Sequence, residues 1–287
     1  MNHLARVIDT VEISDETKNK KSHNLLWILI SITVGAGLIA VLVIQPWNLP
    51  VEARDILTQA YSAMADVSSF RASYSNISSG YEAVHTDIEF LSKDCYRAVC
   101  TRVYFETELI VIDGKKYMSG DTTPVNEIVH SVGYTIAKLD EAYKSRLVDT
   151  LSKLEKRNSE AIEGEDCAHY YGKSDTEKLE VVDITGSVIS YDEIIKIMSD
   201  FRKSIYEYEF WIGKVDGRLR QIKSDYLGWN YTGNPPTTIT VIAGSSVPLQ
   251  MPPTSFVFTF YDFNQPFEIK PPLDSNGQLL PGWEIVE

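Results

Sequence analysis

From Asn24 to Val51 the chain carries no Asp, Glu, Lys or Arg, and residues 25–44 within that stretch are almost wholly apolar. At 1.5 Å of rise per residue, about 20 such residues cross a hydrocarbon core about 30 Å thick, whereas the apolar part of a secretory leader is usually about 7–15 residues. Residues 24–46 are therefore read as one transmembrane helix. A cleaved signal peptide is the competing reading. It fits less well, because the apolar run is long, the segment before it is long and mixed in charge, and Pro46 and Trp47 suit an anchor flank. Acylation at the end of the run is excluded, since the first cysteine is Cys95. Lys18, Lys20 and Lys21 stand just before the span, against Glu52, Arg54 and Asp55 beyond it. That lysine bias makes residues 1–23 a short cytoplasmic tail. The expected localisation is the cell membrane, single-pass, with the N-terminus cytoplasmic and the main domain extracytoplasmic.

At 44% hydrophobic and 11% aromatic, the 287-residue chain has enough apolar material outside the span to bury a substantial core. The net charge is -13. In residues 1–24, Arg6, Lys18, Lys20 and Lys21 balance Asp9, Glu12, Asp15 and Glu16, so the acidic excess belongs to the part after the span. Its field repels phosphate polymers and anionic headgroups, which argues against a nucleic-acid partner. Cys95 and Cys100 are read as flanking a strand turn and, in an oxidising compartment, as a local disulfide. Cys167 is then odd, and is expected as a buried thiol beside the strand 168–171. No CxxC pair occurs and no histidine stands at ligand spacing from a thiol, so neither a metal nor another cofactor is expected.

Ala53, Ile56, Leu57, Ala60, Tyr61, Met64 and Val67 follow the three-and-four spacing of an amphipathic helix. Strands are expected over 70–78 and 83–91, joined at Ser79-Gly80, then over 101–112, turning at Asp113-Gly114 into 115–118. Ile136, Leu139, Tyr143, Leu147, Leu151 and Leu154 mark a helical block between Glu127 and Leu154. A strand follows over 167–173. A short helix carrying Ile194, Ile195, Met198 and Phe201 comes next, capped by Ser190 or Asp192. The clearest hairpin runs 206–214, turns at Val215-Asp216-Gly217 and returns over 218–226; strands over 237–243 and 255–261 complete the set. About nine strands joined mostly by hairpins and broken by one helical block indicate an α+β fold: an antiparallel sheet with helices on one face.

Four stretches carry a family likeness: 53–74, 163–172, 210–222 and 258–271. In that order they resemble LolA-like extracytoplasmic proteins, and most nearly the LppX/LprG (LprAFG) group of lipid-binding lipoproteins. The likeness covers most of residues 52–272 and leaves 273–287 as a C-terminal tail. Two departures stand out. The family's lipid-modified cysteine is absent and the transmembrane span takes its place, and Gly213 sits where an aspartate often follows the aromatic-aliphatic pair. The resemblance implies a half-barrel sheet wrapped around helices, with an apolar cavity between them that accepts acyl chains. Strand alternation places Tyr206, Tyr208, Phe210 and Ile212 on one face, Phe256, Phe258 and Phe260 on one face, and Ile88 with Phe90. Side chains of this size either interlock as an ordinary core or line a cavity, and it is the resemblance that makes these nine the cavity candidates.

Catalytic signatures are missing: there is no Gly-x-Ser-x-Gly elbow, no glycine-rich phosphate loop and no His-Glu-x-x-His. His3, His23, His85, His130 and His169 are scattered, and alternation turns Glu207 and Glu209 to the face opposite Phe210. Asn76-Ile-Ser78 and Asn230-Tyr-Thr232 are sequons that matter only in a glycosylating host. The expected function is non-catalytic: membrane-anchored, extracytoplasmic binding of lipid or lipoprotein acyl chains, as carrier or presenter. The alternative is a cell-envelope interaction or sensor module, in which the same fold meets a protein partner through its acidic outer face and loops such as 232–237. An enzyme ranks third, since it requires a constellation formed only in three dimensions.

Overall fold

The computed structural model describes residues 50–103, 105–120, 125–183, 203–229, 231–232, 238–240, 246–248 and 253–286. The expected cytoplasmic tail, transmembrane span and helix around Ile194 lie outside the described residues. Among those described, no helix is long and apolar enough to cross a membrane. The part from Pro50 to Glu287 is a compact unit of its own.

The unit opens with β1 (Pro50–Glu52) and α1 (Ala53–Ala63). Then come β2 (Phe70–Ser78), β3 (Tyr81–Ser92), β4 (Cys95–Arg102), β5 (Phe105–Ile112) and β6 (Lys115–Ser119). The helices α2 (Val125–Ala137) and α3 (Glu141–Thr150) interrupt the strands before β7 (Lys153–Lys156), β8 (Glu160–Ile162) and β9 (Glu165–Lys173). After β10 (Val182–Asp183) the hairpin of β11 (Ser204–Gly213) and β12 (Leu219–Trp229) follows. Three short strands, β13 (Tyr231–Thr232), β14 (Thr238–Thr240) and β15 (Ser246–Pro248), precede β16 (Thr254–Tyr261) and β17 (Trp283–Val286).

Thirteen of these strands form one open sheet in the order β1-β7-β9-β11-β12-β16-β2-β3-β4-β5-β6-β17, with β8 against β9. Its register is set by local chemistry. Ser79-Gly80, Asp113-Gly114 and Glu163-Gly164 each put two successive residues at positive φ, the two-residue turn whose twist matches that of the strands it joins. The three helices of the described residues pack on the same apolar face. Ala53, Leu57, Ala60 and Tyr61 of α1, Ile128 and Val132 of α2, and Tyr143 and Leu147 of α3 are buried there, and most of them belong to one cluster with Tyr74, Ile88, Phe210, Ile222, Phe258 and Phe260 of the sheet. The expected single helical block is two helices, because Asp140 caps the second: its carboxylate accepts the Ala142 N–H at 3.0 Å. On the opposite face charges alternate across neighbouring strands. Arg71 pairs with Glu89 and Asp262, and Arg97 with Glu89 and Glu108.

Three expectations are corrected. Cys95 and Cys100 do not form a disulfide: both are free thiols on the single strand β4, five residues apart and on opposite faces. At about 3.3 Å per residue their separation is far beyond the reach of a disulfide. The turn expected between them comes later, ending β4 at Arg102, so the strand expected over 101–112 is the end of one strand and the whole of β5. Residues 273–287 are not simply a tail. Trp283–Val286 pairs with β6, and the segment covers a second, outer apolar cluster of Ile110, Tyr117 and Ile269, into which Cys95 and Trp283 also pack. Cys167 is buried in β9, as expected.

Candidate ligand-binding cavity

Cross-strand register explains where the apolar face fails to fill. One row across the sheet aligns Tyr74, Phe258, Ile222, Phe210 and Tyr170, all large. The next row aligns Asn76, Phe256, Ser224, Tyr208 and Gly172, which alternates small with large. Above the small members a cavity of about 560 Å³ opens between the sheet and α2. This lies inside the range of about 300–1,000 Å³ usual for small-molecule sites. The sheet contributes Tyr74, Asn76, Val84, Tyr206, Tyr208, Ser224, Phe256 and Phe258; α2 contributes Glu127, His130, Ser131 and Tyr134; Lys138 and Tyr143 close the helical side.

Of the nine residues expected on the cavity wall, Tyr206, Tyr208, Phe256 and Phe258 line it. Ile88, Phe90, Phe210, Ile212 and Phe260 pack into the solid core cluster instead. Phe90 stacks on Phe70 at 5.0 Å between ring centres and Phe260 meets the same ring edge-on at 5.9 Å, so that end of the sheet is filled by aromatic packing. Alternation identifies the face but not which stretch of it the helices leave uncovered. Sequence reasoning missed the small residues Asn76, Ser131 and Ser224 that create the space, the tyrosines 74, 134 and 143, and Lys138. The signal for the first group was present as small polar side chains at inward positions, Asn76 and Ser224 on strands and Ser131 on α2.

Burial sets the chemistry of the lining. It holds Tyr143, Tyr206 and Tyr208 above the ordinary phenol pKa and pushes Tyr74 up to about 12, so their hydroxyls remain protonated. Burial, together with the nearby Arg146, lowers Lys138 to about 7. Its Nζ lies 4.0 Å from the Tyr143 ring centre and 4.7 Å from that of Phe258. Glu127 is engaged by Arg102. Ser131 donates its hydroxyl to the Glu127 carbonyl at 3.1 Å, within its own helix.

One arrangement elsewhere superficially matches a nucleophile, base and acid. On the outer face Ser75 lies across from His85, Oγ to Nδ1 at 3.0 Å, and His85 Nε2 is 3.3 Å from Asp87. It lacks the requirements for acyl transfer. Glu82 also reaches His85 Nδ1 at 3.0 Å, and the Ser75 hydroxyl holds the Glu82 carboxyl below the usual range by hydrogen bonding to it. The group stands on an exposed sheet surface, where ladder bonding occupies the backbone N–H groups that an oxyanion hole needs. A smaller pocket of about 270 Å³ is lined by Glu163, Glu165, Asp216 and Asp262 with Arg218 and Arg220. Its arginines are already spent on Asp66 and Asp216. Among the described residues no group of three or more His, Cys, Asp or Glu could hold a metal ion.

No family model and no curated protein matches this sequence. Among solved structures the chain is similar to the lipoprotein LppX of Mycobacterium tuberculosis, at 12% identity over 76% of this chain and 98% of that one, with a TM-score of 0.42. It is similar to LprF of Mycobacterium bovis, at 14% identity over 77% and 96%, with a TM-score of 0.44. MucB in the Pseudomonas aeruginosa MucA/MucB complex is a third neighbour, at 14% identity over 82% and 63%, with a TM-score of 0.36. LppX bears the name of the group that the sequence resembles. At these identities and TM-scores the site is read from this chain's own residues.

Proposed function

We propose that the part from Pro50 onward is a non-catalytic binding module for the acyl chain of a lipid or acylated ligand, held at the outer surface of the cell membrane by residues 24–46. The observation that carries this reading is the cavity between sheet and helices walled by Tyr206, Tyr208, Phe256 and Phe258. Affinity comes from removing methylenes from water, at about 0.8 kcal/mol per buried CH₂. Chain length then matters more than fine structure, and a carrier or presenter fits a site that makes and breaks no bonds. The test is native mass spectrometry of the full chain purified from membranes. Co-purifying lipid that leaves when the protein unfolds is the expected result. A lipid-free protein held in a stoichiometric complex with another protein overturns it in favour of an envelope interaction module.

A further inference from the structure

The cavity is too polar for a site that holds hydrocarbon alone. Besides its rings it presents Asn76, Ser224 and an ammonium, that of Lys138. Lys138 follows α2 directly, and its carbonyl is anchored by the Tyr61 hydroxyl, which donates to it at 2.6 Å. The side chain lies against two aromatic rings, and among the described residues no carboxylate pairs with it. Its N–H donors are therefore uncommitted. The charged groups around it reinforce this. Arg146 lies 5.7 Å from the same Tyr143 ring, Glu127 is held by Arg102, and Asp140 is occupied in capping α3. Among the described residues Lys138 thus stands at one end of the cavity with no carboxylate paired to it.

We propose that the cavity's ligand is a single-chain amphiphile with an acidic head, a carboxylate or a phosphate, which Lys138 binds while the chain lies along Tyr208, Phe256 and Phe258. This rests on the acyl-chain reading of the cavity. At about 30 Å³ for a water-sized group, the cavity takes roughly 20 non-hydrogen atoms, which is one chain and its head rather than two chains. The chain's acidic excess repels anions at a distance, but at contact the screened far field counts for less than the local pair, since the Debye length is about 8 Å in physiological salt. A lysine lowered to about 7 regains its charge beside an arriving acid, so acid and ammonium stabilise each other.

The test uses the full chain in nanodiscs of zwitterionic phosphatidylcholine and compares palmitate, hexadecyl phosphate and hexadecanol, which share one chain length, by native mass spectrometry. At least one acid should bind about ten- to hundredfold more tightly than the alcohol, the gain expected of a charge-assisted hydrogen bond in a sheltered site; whichever acid gains more identifies the head. Lys138→Met should abolish the preference, bringing the acids to the affinity of the alcohol in the same variant, while Lys138→Arg should keep it. Equal binding of acids and alcohol overturns the inference and leaves the acyl-chain reading standing, as does a preference that survives Lys138→Met. Binding of none of the three overturns both. Should the methionine variant fail to fold, the acid-over-alcohol ratio in the unaltered chain decides by itself.

Discussion

Lys138 joins stability to pH at a single residue. In the unfolded chain it holds its proton up to the ordinary lysine value of 10.5, whereas in the folded chain it releases it near 7. Between these values the unfolded state binds more protons, so this group makes stability rise with pH; below about 7 both states are charged and the full cost of sheltering the ammonium is felt. Lys138→Met should therefore raise stability at pH 6 by about 1–3 kcal/mol, discounted because the half-buried lysine keeps some hydration and its two ring contacts. The gain should shrink towards pH 10, as followed by urea midpoints across the range. A gain that grows with pH contradicts the assignment. Gly213 shows a residue whose reason is steric. A β-carbon there would stand 2.6 Å from Asp216 Oδ1, whose carboxylate fixes the hairpin turn by accepting from the Arg218 N–H at 3.1 Å and from Arg220 at 2.8 Å. The aspartate common in the resembled family does not fit this turn. Gly213→Asp should cost about 1–3 kcal/mol, measured by urea unfolding.

Strands and turns were the most readable part of the sequence, because their signals are local. The X-Gly pairs fix the register at Ser79-Gly80 and Asp113-Gly114, and the alternation over 206–214 fixes which face is buried. What failed was anything requiring knowledge of how far a strand runs. The two cysteines were read across a turn although Tyr96, Ala98 and Cys100 alternate inward; the segment is one strand, paired with β3 and β5 on its two sides. Alkylation of the denatured chain without reductant should accordingly label Cys95 and Cys100 in full, and a peptide mass two hydrogens short overturns the assignment. β17 was missed for a related reason. Its four residues acquire strand geometry only against β6, with Ile285 opposite Tyr117 and Trp283 opposite Ser119. A chain ending at Pro272 should lose hydrogen-exchange protection in β6 and expose the Ile110–Tyr117 cluster, while β11 and β12 stay protected.

At the scale of the whole unit, a cavity is a statement about packing between distant parts, which is why alternation narrowed the search to a face and went no further. Phe256 and Phe260 read alike in the sequence, two inward aromatics of one strand, yet Phe260 meets Phe70 while Phe256 stands between Asn76 and Ser224. The void follows from those two short neighbours and from a helical side formed there by Ser131, Tyr134, Lys138 and Tyr143, while the aliphatic Ile128 and Val132 of α2 fill the core beside it. Filling it separates binding from folding. Ser224 is buried on the cavity wall, and Ser224→Phe directs a ring into space that is already empty, so stability without ligand should change by no more than about 1 kcal/mol. A ligand at a hundredfold excess over its Kd stabilises the native state by about 2.7 kcal/mol, which for a unit of this size is a rise of roughly 5 °C or more in Tm. With palmitate as the probe the unaltered full chain should show that rise and Ser224→Phe should lose it, its own Tm staying near the unliganded value. Equal palmitate-induced shifts in both proteins place the binding surface elsewhere, because a ring at position 224 occupies the floor between Phe256 and Tyr208 along which the chain has to lie.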